Sequence, residues 1–131
     1  MKFVNTIGTR KKSVARAVLS DGNGIVRVNG KTVQNVTPSM VRMKMEEPLI
    51  LSGEMSKKYD ISISVHGGGM VSQADAVRLA IAKALVLKNV KLREEFLRYD
   101  RTLLIADVRQ REARKPNRHG NERGKAQKSY R

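Results

Sequence analysis

The final 23 residues set the tightest limit on what this chain can fold into. Residues 109–131 carry nine Lys or Arg (Arg109, Arg111, Arg114, Lys115, Arg118, Arg123, Lys125, Lys128 and Arg131) against two acids, Glu112 and Glu122, a net +7. They contain no Val, Ile, Leu, Met, Phe or Trp. Such a segment cannot bury enough apolar surface to offset the entropy lost on ordering it, so by itself it is expected to be disordered. Its charge density suits a polyphosphate, because neutralising phosphates releases condensed counterions. The expectation is a basic arm that orders against nucleic acid. The alternative is a solvated tail that only keeps the chain soluble.

Removing the arm from 131 residues leaves 108, enough for one domain with a real core. The arm accounts for +7 of a net +15, so the body keeps +8 and is expected to touch the polyanion as well. The aromatics (Phe3, Tyr59, Phe96, Tyr99, Tyr130) are too few to offer an evident platform for stacking bases, so recognition should lean on phosphates and shape. The absence of cysteine excludes disulfides and thiolate metal sites. No apolar signal-peptide core is visible, and the longest apolar stretch, Ala74 to Leu87, is broken by Asp75, Arg78 and Lys83. A soluble, cytoplasmic chain without a membrane contact is expected.

Phe3 to Thr9 and Ser13 to Leu19 read as two strands joined by a basic tip, Arg10-Lys11-Lys12. On the second strand Ala15, Ala17 and Leu19 share one face, and Val14, Arg16 and Val18 the other. Lysines at the tip are explained either by phosphate contact or by keeping an edge soluble. Phosphate contact is favoured, because Arg16 carries positive charge down the strand. Asp21-Gly22-Asn23-Gly24 and Asn29-Gly30 predict tight turns around a strand at Ile25 to Val28, with Lys31 to Val36 returning. The first third is thus expected to be antiparallel. Thr37-Pro38 predicts an N-cap followed by proline at the first helical position. That helix should stop at Pro48, with Leu49 to Leu51 a separate apolar piece. Met40, Met43, Met45 and Met55 are expected to fill core gaps.

Ile61, Ile63 and Val65 alternate with Ser62, Ser64 and His66, which predicts a half-buried strand. Gly67-Gly68-Gly69 follows, and Ser72 is placed to cap a helix running to about Lys88. Ala74, Val77, Ile81, Ala84 and Leu85 form its apolar stripe, with Arg78 on the polar side. A short helix over Lys91 to Arg98 sets Leu92 above Phe96, and Leu103 to Ala106 is the last apolar anchor. Strands, helices, a strand and further helices on a small sheet make an α+β body over residues 1–106, with a tail over 107–131.

Chemistry-bearing patterns are sparse. His66-Gly67-Gly68-Gly69 has the look of an oxyanion loop, but no serine sits on a glycine elbow and the only other histidine is His119. The loop is better suited to present free N–H groups at a helix N-terminus to a phosphate. A turn that merely needs positive φ explains it equally well. Neither a metal site nor a cofactor site is indicated.

Four stretches occur in the order of one family. They are Gly8-Thr9-Arg10-Lys11-Lys12-Ser13-Val14-Ala15-Arg16-Ala17, Gly24 to Gly30, Val65 to Leu85 with its three glycines, and the terminal Gln127-Lys128-Ser129-Tyr130-Arg131. Together they resemble the small-subunit ribosomal protein nine family, essentially end to end. The Ser-Tyr-Arg ending and the short length resemble the archaeal form. Ser72, Pro116, Glu122 and Gly124 depart from the family's pattern. The resemblance implies a non-enzymatic protein of the small ribosomal subunit. Its fold would be similar to the second domain of ribosomal protein five, with a left-handed β-α-β crossover that breaks the usual handedness. It also implies binding to small-subunit rRNA in the head, beside other ribosomal proteins, without homo-oligomers. On that reading Arg10, Lys11, Lys12, Arg16, Gly67, Gly68, Gly69 and Arg78 dock the body. Arg109, Arg111, Arg114, Lys115, Arg118, Arg123 and Lys125 line the tail's path through rRNA. Lys128, Ser129, Tyr130 and Arg131 approach the tRNA in the peptidyl site.

Overall fold

The computed structural model describes residues 3–116. Its five strands are β1 (Val4–Arg10), β2 (Ser13–Asp21), β3 (Val26–Val28), β4 (Lys31–Thr32) and β5 (Tyr59–His66). They form one sheet in the order β1-β2-β5-β3-β4. Three helices, α1 (Ser39–Ser52), α2 (Met70–Lys88) and α3 (Leu92–Tyr99), and short 3-10 turns complete the α+β fold.

The sheet grows from the β1–β2 hairpin. Arg10 faces Ser13, which leaves Lys11 and Lys12 as a two-residue turn with Lys11 at φ 54°. β2 pairs antiparallel with β5. Within the first third both pairings are antiparallel as expected, β1 with β2 and β3 with β4, whereas β3 runs parallel to the later strand β5, with Val26 opposite Ile61 and Val28 opposite Ile63. Both ladder types share the same side-chain period of two, so residue pattern alone cannot separate them. A carboxylate and a side-chain amide secure this junction. Asp60 accepts the N–H groups of Asn23, Gly24 and Ile25 at 2.9–3.1 Å, which closes the turn before β3. These bonds, that from Ile25 foremost, hold its carboxyl below the usual range. Asn29 exchanges two hydrogen bonds with the Val65 backbone, at 2.9 and 3.2 Å, just past the end of β3.

One face of the sheet is covered and the other is open. Ala15, Ala17 and Leu19, with Val26, Val28, Ile61, Ile63 and Val65, are buried as the alternation required. Arg16, Val18, Arg27, Ser62, Ser64 and His66 stand on the open face. α2 lies across the covered face, mainly against β1 and β2. The fit depends on small residues. A Cβ on Gly8 would strike the Ala76 carbonyl of α2, and the buried Thr6 hydroxyl donates to the Ala80 carbonyl at 2.8 Å. α1 and α3 pack on α2 from the other side, so its burial extends beyond the stripe to Ala76 and Leu79. Phe96 of α3 and Leu103, both fully buried, seal the end of the core.

Several local expectations are corrected. Pro48 does not end α1; the helix runs on to Ser52 with the proline fully buried. Its ring forgoes one backbone bond, and apolar burial offsets that loss. Pro38 caps the helix rather than opening it, its carbonyl accepting from Val41 and Arg42. α2 starts at Met70 with Gly69 as its cap, so Ser72 lies within the first turn and does not cap it. The returning strand is only Lys31–Thr32, followed by a 3-10 turn at Val33–Asn35. Met45 is buried and Met55 partly so, but Met40 and Met43 are exposed, because α1 turns that side to solvent.

Candidate nucleic-acid interface

Three basic or anion-ready features meet at one end of the sheet. The first is the hairpin tip, where Lys11 and Lys12 are exposed. The second is the Gly67–Gly69 loop between β5 and α2. Gly67 and Gly68 have φ of 80° and 64°, a region open to glycine at little cost. A Cβ on Gly67 would collide with the Lys12 carbonyl, so the loop lies directly on the tip. Ser13 Oγ at 2.8 Å and Gln73 Nε2 at 3.1 Å both donate to the Gly67 carbonyl and lock that contact. The loop delivers the chain to the N-terminus of α2, where no side chain of the cap residue bonds the first N–H groups. Those groups carry the positive end of the helix dipole.

The third feature is the root of the basic segment. Asp107 accepts from the Arg109 backbone at 3.0 Å and from its guanidinium at 2.7–3.1 Å. It also faces Arg10 Nη1 at 3.4 Å. The side-chain bonds from Arg109 are the main reason its carboxyl is held far below the ordinary value, and Arg109 is correspondingly pushed up. Gln110 Nε2 donates to the Lys11 carbonyl at 3.1 Å. The segment therefore leaves the body alongside the hairpin tip. Sequence reading missed this latch, although the Asp-x-Arg spacing of Asp107 and Arg109 carried the signal.

The predicted residues separate into groups. Lys11, Lys12, Gly67, Gly68, Gly69 and Arg109 come together. Arg10 is adjacent but half-buried, held between Asp107 and, at 3.8 Å, Asp75, which also pairs with Lys44 at 3.3 Å. Arg16 stands apart on the open face, opposite Ile7 and Ser64. Arg27, which sequence reading did not single out, lies on the same face opposite Ser62. Arg111, Arg114 and Lys115 are exposed. Arg78 is not on a polar side: it is 9 % exposed and pairs with Glu47 at 2.6 Å and Asp100 at 3.1 Å. α1 and the turn after α3 cover the position that a single-helix projection leaves open. Arg118, Arg123, Lys125, Lys128, Ser129, Tyr130 and Arg131 lie outside the described residues.

Among the described residues, the Ser13 hydroxyl at this end donates to the Gly67 carbonyl and not to a base. Among them, too, no group of three or more His, Cys, Asp or Glu is placed to hold a metal, and no helix is long and apolar enough to cross a membrane. What the site offers is positive charge and free backbone N–H, fit for phosphates.

The sequence profile of the ribosomal protein S9/S16 family matches residues 8–131. The chain is 46 % identical over its whole length to small ribosomal subunit protein uS9 of Methanococcus maripaludis strain C7, which it also covers completely. It is 50 % identical to the protein of that name from Halobacterium salinarum, over 97 % of this chain and 98 % of the relative. The Methanococcus vannielii counterpart is 43 % identical with both chains fully covered.

Proposed function

The chain belongs to the ribosomal protein S9/S16 family, and on that premise we propose that its body docks on small-subunit rRNA while its basic tail reaches the peptidyl-site tRNA. The protein is a structural constituent of the small subunit of the cytoplasmic ribosome and not an enzyme. The three uS9 relatives named above are archaeal.

The observation that carries the docking reading is the meeting of Lys11, Lys12, the Gly67–Gly69 loop and Arg109 at one end of the sheet. The lysine ammonium groups and the helix N–H groups there suit backbone phosphates, and Arg109, held by Asp107, adds positive charge at the root of the segment. Arginine adds a planar fork that pairs with two phosphate oxygens. Arg10 supports the tip from within, and Arg16 extends the charge along the open face. Arg78 serves the interior and is left out of the RNA contact. The partners are the rRNA of the subunit head and the neighbouring proteins there.

The division into a body over 1–106 and a tail over 107–131 fits the latch at Asp107, where the chain leaves the core. Arg111, Arg114, Lys115, Arg118, Arg123 and Lys125 follow rRNA in this proposal, and Lys128 to Arg131 contact tRNA. In this proposal the fold resembles the second domain of ribosomal protein five, with a left-handed crossover at β3–α1–β5; what supports it is that β3 and β5 are the one parallel pair among the described strands. A right-handed crossover in an experimental density map of the assembled subunit overturns that likeness.

Deleting Lys128 to Arg131 tests the tRNA contact. Subunits should still assemble, and their affinity for peptidyl-site tRNA should fall. Equal affinity with and without those residues removes the claim.

A further inference from the structure

An apolar groove of about 550 Å³ runs between β1, the second half of α2, α3 and the segment at Ile105. Ile7, Leu87, Leu97 and Ile105 stand in it, between 37 % and 63 % exposed. Single exposed aliphatics are ordinary, but four converging on one groove mark an interaction surface. Among the described residues, Lys83 and Arg93 are the only charged groups that line it, and no Asp or Glu does.

We infer that this groove receives a neighbouring protein, which lays into it an amphipathic helix whose aliphatic face is flanked by Asp or Glu. The inference rests on the ribosomal reading above, because that neighbour is another protein of the same subunit. Three observations select this occupant. Residues 117–131 contain no Val, Ile, Leu, Met, Phe or Trp, so this chain's own tail cannot supply the aliphatic face. A second copy would bring Lys83 and Arg93 against their equivalents in a chain already at +15, and like charges at a two-fold contact repel. Strand addition along β1 is blunted, because Lys83 Nζ already takes the Ile7 carbonyl at 3.1 Å. A helix docks by side chains and needs no free edge, and its carboxylates complement the two cations. RNA would satisfy the cations but leave the four aliphatics facing phosphates.

The test uses the full-length chain with a photo-crosslinking phenylalanine analogue at Leu87, assembled into small subunits and sedimented in high salt. Irradiation should join position 87 to a protein of the subunit, at a helix that carries aliphatic residues beside Asp or Glu. Lys83→Glu with Arg93→Glu should lower the yield about tenfold, which lies within the combined range of two exposed charge pairs. Ile105→Asp should lower it further, and Ile105→Leu should leave it unchanged. Unfolding midpoints equal to the parent's show that these surface changes leave the fold intact. An adduct to rRNA, an adduct to a second copy, or no adduct in subunits that contain the chain overturns the groove assignment alone. Failure to sediment with small subunits overturns the ribosomal reading, and this assignment with it.

Discussion

The Arg78 guanidinium lies between Glu47 and Asp100 inside the packing of α1, α2 and the turn after α3, and also donates to Thr102 Oγ1 at 3.2 Å. Arg78→Met should therefore lower stability by about 1–3 kcal/mol, the cost of leaving partly buried carboxylates unpaired. Its affinity for rRNA should stay that of the parent when equal amounts of folded protein are compared. A drop in rRNA affinity without a drop in the urea midpoint would show that Arg78 contacts RNA after all. Asp107 makes a second residue-scale prediction. Its carboxyl is held well below the ordinary value of 3.8, chiefly by the Arg109 side chain. A depressed acid contributes its full stabilising effect above the ordinary value and loses it only as pH falls through the depressed one. The latch should thus survive acidification through pH 4 and open in stronger acid. Carboxyl carbon shifts of Asp107 during an NMR titration would check this, and a midpoint near 3.8 would contradict it.

At the scale of elements, α2 is the axle of the molecule. It touches the sheet on one side and α1 and α3 on the other, and its N-terminus receives the glycine loop. Phe96→Ala, which empties a fully buried site where α3 closes the core, should cost about 3–5 kcal/mol in chemical unfolding. Gly67→Ala acts differently. The new methyl meets the Lys12 carbonyl and a backbone at φ 80°, so the loop and the hairpin tip must part. Strain at such a position costs about 1–3 kcal/mol. rRNA affinity should fall in step, whereas Phe96→Ala in its folded fraction should bind as the parent does. Similar binding by the two variants would separate the glycine loop from the interface.

For the molecule as a whole, the charge is spread over two parts that should act on RNA together. Log affinity should fall linearly with log salt, with a slope set by the number of phosphates neutralised. Lys11→Glu with Lys12→Glu should make that slope shallower by about two, one for each phosphate that no longer meets a lysine. Removing residues 109–131, with nine cations, should flatten it much more. Filter binding across a salt series would measure both, and an unchanged slope for the double variant would take the hairpin tip out of the interface.

Residue order alone was enough for the hairpin, the alternation of β5 and the end of α2 at Lys88. Each depends on a local period or local composition, and such signals are complete within a dozen or so residues. The family likeness was legible for the same reason, since it rests on contiguous motifs. What needed the tertiary structure were the relations between distant segments. The parallel pairing of β3 with β5, the survival of α1 through Pro48 and the inward turn of Arg78 all depend on which element packs alongside. So does the meeting of Lys11, Gly67 and Gln110, which lie far apart in the chain and share one surface only after the sheet closes. A polar or charged side chain has no fixed side of a helix or sheet until its neighbours decide which side is water.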